Sequence, residues 1–203
     1  MIRLLSNPAS PFGRKVKMTA RIKGLLDKIT VETVNPTVPG DPVLTAANPL
    51  GKIPALILAD GTALYDSRVI CEYLDTLAPH PALFPREGLA RFRMLTRAAR
   101  AEGVMEAALL IIYEDRFRPA DKRVPSWITR QQGKIDGALA AIAADKPGLS
   151  GELDYSHVTL ASALGYLDFR LHGSWRAAHP ALVTWLDGFA AQNPAFAETA
   201  PTG

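Results

Sequence analysis

The chain has 203 residues, 48% hydrophobic and 21% charged, a composition that excludes an extended disordered protein and fits one large or two small folded domains. Its net charge is only +3, and acidic residues alternate with basic ones in stretches such as "RFRMLTRAARAEGVMEAALLIIYEDRFR", which argues against a nucleic-acid-binding face. A single cysteine, Cys71, excludes an intramolecular disulfide, a dithiol redox pair and a cysteine-based zinc site.

"MIRLLSNPAS" begins with a short apolar run, "IRLLS", that ends at Asn7-Pro8 and reads as a strand. The same break comes before the apolar core of a secretion signal could form, and no later run approaches the roughly 18 apolar residues of a membrane span. A cytoplasmic chain that makes no membrane contact is the expectation. From Arg14 to Leu26 apolar residues fall at Val16, Met18, Ala20, Ile22 and Leu25, a loosely helical spacing with Gly24 near its end and Ser10 as a cap ahead of it. "KITVETVN" alternates in period two and stops before Pro36, so a second strand is predicted, followed by "TVPGDP" as loop. "PALILADGTALY" places two apolar runs around Asp60-Gly61, a hairpin signal. Asp66-Ser67 then opens "RVICEYLDTLA", in which Val69, Ile70, Tyr73, Leu74 and Leu77 share a helical stripe. Cys71 lies within that stripe and reads as a small buried thiol.

The order β-α-β, hairpin, α makes the first two strands parallel through a right-handed crossover and the last two antiparallel. The predicted architecture is a small mixed sheet covered by helices, of thioredoxin-like α/β type. "APHPALFPREG" is a proline-rich linker. Beyond it strand signals vanish: about Leu89 to Arg116, Trp127 to Ala144, "DYSHVTLASALGYLDFRL" and "ALVTWLDGFAAQ" are all helical. The predicted division is residues 1–78 as the thioredoxin-like domain, 79–87 as linker and 88–203 as an all-α domain.

Four stretches, in order and at matching intervals, carry a family likeness: "NPASPFGRKV", "NPLGKIPALIL", "YDSRVICEYLD" and, in the helical part, "LSGELDYSHVTLASALGYLDFR" with "HPALVTWLDGFAAQNPAFAETAP". The chain resembles the cytosolic glutathione transferases from end to end, with a first turn similar to the serine-type classes. The resemblance implies an enzyme that joins the thiolate of glutathione, a cosubstrate, to a hydrophobic electrophile. It also implies a homodimer, with no metal and no nucleic-acid partner.

The likeness assigns roles residue by residue. Ile53, ahead of a cis Pro54, would pair its main chain with the cysteinyl part of glutathione, as an added strand pairs with a sheet edge. Ser67 would bind the γ-glutamyl carboxylate at a helix N-terminus, and Asp66 would face the ammonium group, where many relatives carry the longer Glu. Read without the family, Asp66 and Ser67 are a helix cap, and the two readings are compatible. Lys52 would meet the glycine carboxylate. From Ile29 through Gly51 there is no Lys, Arg or His, whereas the serine classes commonly add a second basic residue there, so weakened glutathione binding is expected.

Ser10 occupies a slot where glutaredoxin-like and omega-type relatives carry cysteine. A hydroxyl cannot form a mixed disulfide, so thiol exchange through this position is excluded. It can donate a hydrogen bond to the glutathione thiolate, and at about 1.5–3 kcal/mol for a bond to a charged group this favours ionisation by about 1–2 pH units. Ser6 and Asn7 are the alternatives for this role within the same turn. Two further function classes fit the same residues: a glutathione-dependent peroxidase or reductase, and a glutathione-binding protein with little turnover. In "GELDYSH", Asp154 is a good helix cap, but His157 replaces the family's carboxylate three residues on, and a weaker capping box is expected.

Overall fold

The computed structural model describes residues 1–38, 40–78, 80–145 and 150–202. Pro39 of the predicted loop, Pro79 of the predicted linker and Leu149 in one family motif lie outside the described residues. The chain divides into two compact units, Met1–Phe84 with Asn193–Gly203, and Pro85–Gln192. In chain order the first unit supplies β1 (Ile2–Ser6), α1 (Pro11–Ile22), β2 (Ile29–Thr33), α2 (Pro42–Ala47), β3 (Ala55–Ile57), β4 (Ala63–Leu64) and α3 (Ser67–Leu77). The second supplies α4 (Gly88–Phe117), α5 (Pro125–Ala144), α6 (Tyr155–Leu171) and α7 (Pro180–Gln192), and α8 (Ala195–Glu198) belongs to the first again.

The strands lie in the order β2-β1-β3-β4. β1 runs parallel to β2, from Ile2 opposite Ile29 to Ser6 opposite Thr33, while the β1–β3 and β3–β4 pairs are antiparallel. This is the mixed sheet that the element order predicts. Leu4 and Leu5 of β1 and Leu56 of β3 are fully buried, as are Val16 and Met18 of α1 and Ile70, Cys71 and Leu74 of α3. Each such apolar side chain contributes about 1.5–3 kcal/mol relative to exposure, which is why the short strands hold. Thr19 Oγ1 donates to the Cys71 sulfur at 3.3 Å inside this core.

Two elements differ from the sequence reading. α2 begins at Pro42, the last residue of the predicted loop "TVPGDP". Asp41 accepts from the Leu44 N–H at 2.9 Å and Pro42 takes the first helical position, a start signal that six residues of weak periodicity conceal. The stretch from Asn193 onward, read as the end of the all-α domain, packs within the first unit. Arg14, which is buried, donates to the Phe196 carbonyl at 2.8 Å and stacks 4.1 Å from its ring centre, and Arg21 pairs with Glu198 at 2.5 Å.

An ion pair fastens the end of this unit. Lys23, whose side chain is fully buried, lies 2.7 Å from Asp75 and also donates to the Pro81 carbonyl. Asp75 in turn accepts from the N–H groups of Leu83 at 2.9 Å and Phe84 at 3.2 Å. One carboxylate of α3 thus holds both the lysine that ends α1 and the segment at Leu83 and Phe84 that closes the unit.

In the second unit α4 packs against both α5 and α6. Every residue of α6 from Tyr155 to Leu167 is buried, as expected of a helix apolar on all sides. Its Tyr155 hydroxyl donates to Glu102 of α4 at 2.9 Å. The capping box is complete despite the histidine. The Asp154 carboxylate accepts from the Ser156 and His157 N–H groups, and the Asp154 N–H donates to His157 Nδ1 at 3.0 Å. Here an imidazole nitrogen does the work of the family's carboxylate oxygen, and Trp185 stacks on the ring at 6.1 Å. Among the described residues no helix is long and apolar enough to cross a membrane.

Burial raises the Asp154 pKa, but hydrogen bonds from His157 and Ser156 and the nearby Arg97 guanidinium outweigh it, leaving the carboxyl at about 2, below its usual 3.8. A depressed carboxylate stabilises the fold above its unfolded pKa and ceases to do so as pH falls through the folded one. Asp154→Ala is therefore expected to lower the melting temperature at neutral pH. Thermal melts of both proteins should show that gap narrowing between about pH 4 and about pH 2.

Candidate functional site

The sheet topology brings the predicted site residues to one end of the sheet. Ser10 follows the C-terminal end of β1, and Lys52 and Ile53 precede the start of β3, whose Ala55 pairs with Leu5. Asp66 and Ser67 follow β4, whose Leu64 pairs with Leu56 near the same end of β3. All three connections therefore leave from the same end of the sheet. β1 to β4 is two strand spacings, about 9–10 Å, close to the reach of an extended three-residue peptide.

Ser10 caps α1 from extended backbone, at φ −81° and ψ 122°. Its Oγ accepts from the Gly13 N–H at 3.1 Å, and Pro11 occupies the first helical position. With that lone pair taken, the hydroxyl proton is free to turn toward a ligand. Its neighbours in the turn are differently disposed. Ser6 is 1% exposed, out of reach of a ligand. Asn7 spends both ends of its amide inside the fold, donating to the Val34 carbonyl at 3.2 Å and accepting from the Ala9 N–H at 3.0 Å. Of these three side chains, Ser10 alone combines a hydroxyl with partial exposure.

The Ile53–Pro54 bond is cis. Ile53 is half-buried and packs on the cluster of Leu5, Leu44, Ala47 and Ala55, so α2 supports the loop from beneath. Lys52 is exposed. Asn48, 3% exposed, organises this loop: its Nδ2 donates to the Lys52 carbonyl at 2.9 Å and its Oδ1 accepts from the Leu50 N–H at 3.1 Å. Gly51, at φ +61°, closes the turn with its N–H on the Asn48 carbonyl. Asn48-Pro49, with Gly51 three residues after the asparagine, is a turn signal in its own right, and the side-chain bonds of Asn48 give that signal its role in the loop.

At α3 the cap is Asp66, whose carboxylate accepts from the Arg68 N–H at 2.8 Å. Asp66 is exposed and Ser67 is buried, with Ser67 Oγ 3.5 Å from the Asp66 carboxylate. Two helix N-termini, those of α1 and α3, thus open at this end of the sheet, and both favour negative charge. In the second unit, Met105 is core and Tyr113 is half-buried, edge-on to Phe117 at 5.0 Å.

Comparison with known proteins follows the same outline. The glutathione S-transferase N-terminal domain matches residues 9–77, and the C-terminal domain of the same family matches residues 125–188. The uncharacterised GST-like protein YibF of Escherichia coli K12 is 31% identical, with the match covering 98% of each chain. This chain belongs to the glutathione S-transferase family. A crystal structure of a glutathione transferase family member from Pseudomonas fluorescens Pf-5, with glutathione bound, is 40% identical over 100% of both chains at a TM-score of 0.94. A stringent starvation protein A homolog of Coxiella burnetii is 30% identical over 67% of this chain, spanning 63% of its own length.

Proposed function

We propose that the protein is a glutathione transferase that joins the glutathione thiolate to an electrophilic small molecule, with the Ser10 hydroxyl as the hydrogen-bond donor to the thiolate. The observation that carries this reading is the Pseudomonas relative, similar along its entire length, which holds glutathione. In the proposed pose the γ-glutamyl group meets Ser67 and Asp66 at α3. The cysteinyl backbone runs beside Ile53, the glycine carboxylate meets Lys52, and the sulfur reaches Ser10. The side chains do the chemistry expected of their types: a cation for a carboxylate, a helix mouth for an anion, a hydroxyl for a thiolate. The reading includes a homodimer working in the cytoplasm, and sedimentation at micromolar concentration reads the dimer.

Calorimetric titration with glutathione, together with conjugation of a dinitroaryl chloride, tests the proposal. Lys52→Ala is expected to weaken glutathione about fivefold, the modest loss due to an exposed charge pair. An unchanged dissociation constant would remove Lys52 from the site. A second reading, a glutathione-binding protein with little turnover, draws on the absence of Lys, Arg and His from Ile29 through Gly51. Binding without conjugation or peroxide reduction would favour it.

A further inference from the structure

The mouth of α1 holds an unusual contact. Ser6 is 1% exposed, and its Oγ has no hydrogen-bond partner among the described residues. A buried hydroxyl in that state costs stability and calls for an explanation. Its position supplies one: a Cβ built on Gly13 would lie 2.1 Å from Ser6 Oγ, nearly 1 Å inside the closest approach real side chains make. Gly13 carries no positive φ. Space alone, and not backbone conformation, requires glycine here.

Gly13 is also the residue whose N–H engages Ser10 Oγ, and a Cβ on it would lie 3.5 Å from the Ser10 Cβ. The first turn of α1 therefore sits down on the end of β1 only because residue 13 has no side chain. That seating brings the Gly13 N–H to Ser10.

We propose that Gly13, seated against Ser6, is the positioning residue of the site: it aims the Ser10 hydroxyl by filling one of its lone pairs and leaving its proton to face the ligand. The proposal rests on the reading of Ser10 as thiolate donor. Gly13→Ala is expected to push the first turn and the end of β1 apart, because the new methyl would lie 2.1 Å from Ser6 Oγ and Ser6, 1% exposed, cannot turn its hydroxyl out to solvent. Ser6→Ala removes the clashing oxygen and leaves the Ser6 Cβ at 3.4 Å from the new methyl, a contact that small adjustments accommodate.

The test is a four-variant set, Gly13→Ala, Ser6→Ala, the double variant and Ser10→Ala, each measured in two ways. The first is the pH profile of kcat for conjugation together with KM for glutathione; the second is hydrogen exchange of the residue 13 amide. Gly13→Ala is expected to move the acid limb of the profile up by about 1–2 pH units, as Ser10→Ala does, while KM changes less than twofold. Its residue 13 amide should exchange at least tenfold faster. The double variant should regain both properties, a rescue that a general loss of fold would not give. Three results would overturn the proposal: a wild-type profile in Gly13→Ala, failure of Ser6→Ala to rescue, or a Ser6→Ala shift as large as that of Ser10→Ala, which would make Ser6 the donor. If Ser10→Ala leaves the profile in place, the donor reading itself fails. The exchange measurement then decides separately whether Gly13 and Ser6 seat the turn.

Discussion

Ser10→Ala is expected to shift the acid limb of the conjugation profile up by about 1–2 pH units and to slow turnover at about pH 6.5 by roughly 3–8-fold. The first number is the worth of one hydrogen bond to a thiolate, about 1.5–3 kcal/mol, expressed as acidity. The second is smaller than the roughly 9–50-fold fall in thiolate fraction at that pH because a more basic thiolate is also a better nucleophile, with a Brønsted slope near 0.4–0.5. Ser10 has a second task, since its Oγ caps the Gly13 N–H, and losing that cap costs about 0.5–2 kcal/mol of stability. Ser10→Asp separates the two. Aspartate caps a helix as well as serine does but cannot donate, so urea unfolding should stay near wild type while conjugation falls at least as far as in Ser10→Ala. Equal pH profiles for all three proteins would remove Ser10 from the chemistry.

Asp75→Ala is expected to have the largest effect on stability, about 3–5 kcal/mol in urea unfolding. It strands the Lys23 ammonium, whose side chain is fully buried, and it releases the Leu83 and Phe84 N–H groups at once. Against a typical total of about 5–15 kcal/mol, that is enough to leave the variant partly unfolded at room temperature. Lys23→Met combined with Asp75→Leu should recover the part of the loss due to the stranded ammonium, because an apolar pair removes both the attraction and the desolvation cost, while the Leu83 and Phe84 N–H groups stay released. Glu32→Ala is the contrast. The Arg3–Glu32 pair is bidentate, with contacts of 2.5 and 2.8 Å, but it faces water, and its removal should leave the unfolding midpoint within error. A midpoint unchanged in Asp75→Ala would show that the clamp carries no energy.

The sheet was legible in the sequence because its signals are local. "IRLLS" and "KITVETVN" carry strand patterns, and Asp60-Gly61 marks the hairpin, where the Gly61 N–H bonds to the Leu58 carbonyl. Ser10, Lys52, Ile53, Asp66 and Ser67 are the residues the motifs single out, and the topology brings them to one end of the sheet, although no single pattern in the sequence states that the three loops share it. What escaped was of two kinds. α2 and Asn48 are short-range features without periodicity, and they register only through cap and turn chemistry. The Lys23–Asp75 clamp and the Ser6–Gly13 contact are pairings across the fold. Nothing in the residues near Lys23 announces a carboxylate 52 positions away, and a glycine required by a neighbour's oxygen looks in sequence like any other glycine.

The return of residues 193–198 to α1 bears on how the protein is made. A ribosome finishes the sheet and α3 early, yet the groups that cover Arg14 and Arg21, the Phe196 ring and carbonyl and the Glu198 carboxylate, are synthesised only after the whole of the second unit. Until then Arg14 and Arg21 of α1 lack these contacts. The first unit is thus the earlier to emerge and the later to be completed, so its folding on the ribosome is tied to delivery of a segment encoded more than 100 codons downstream.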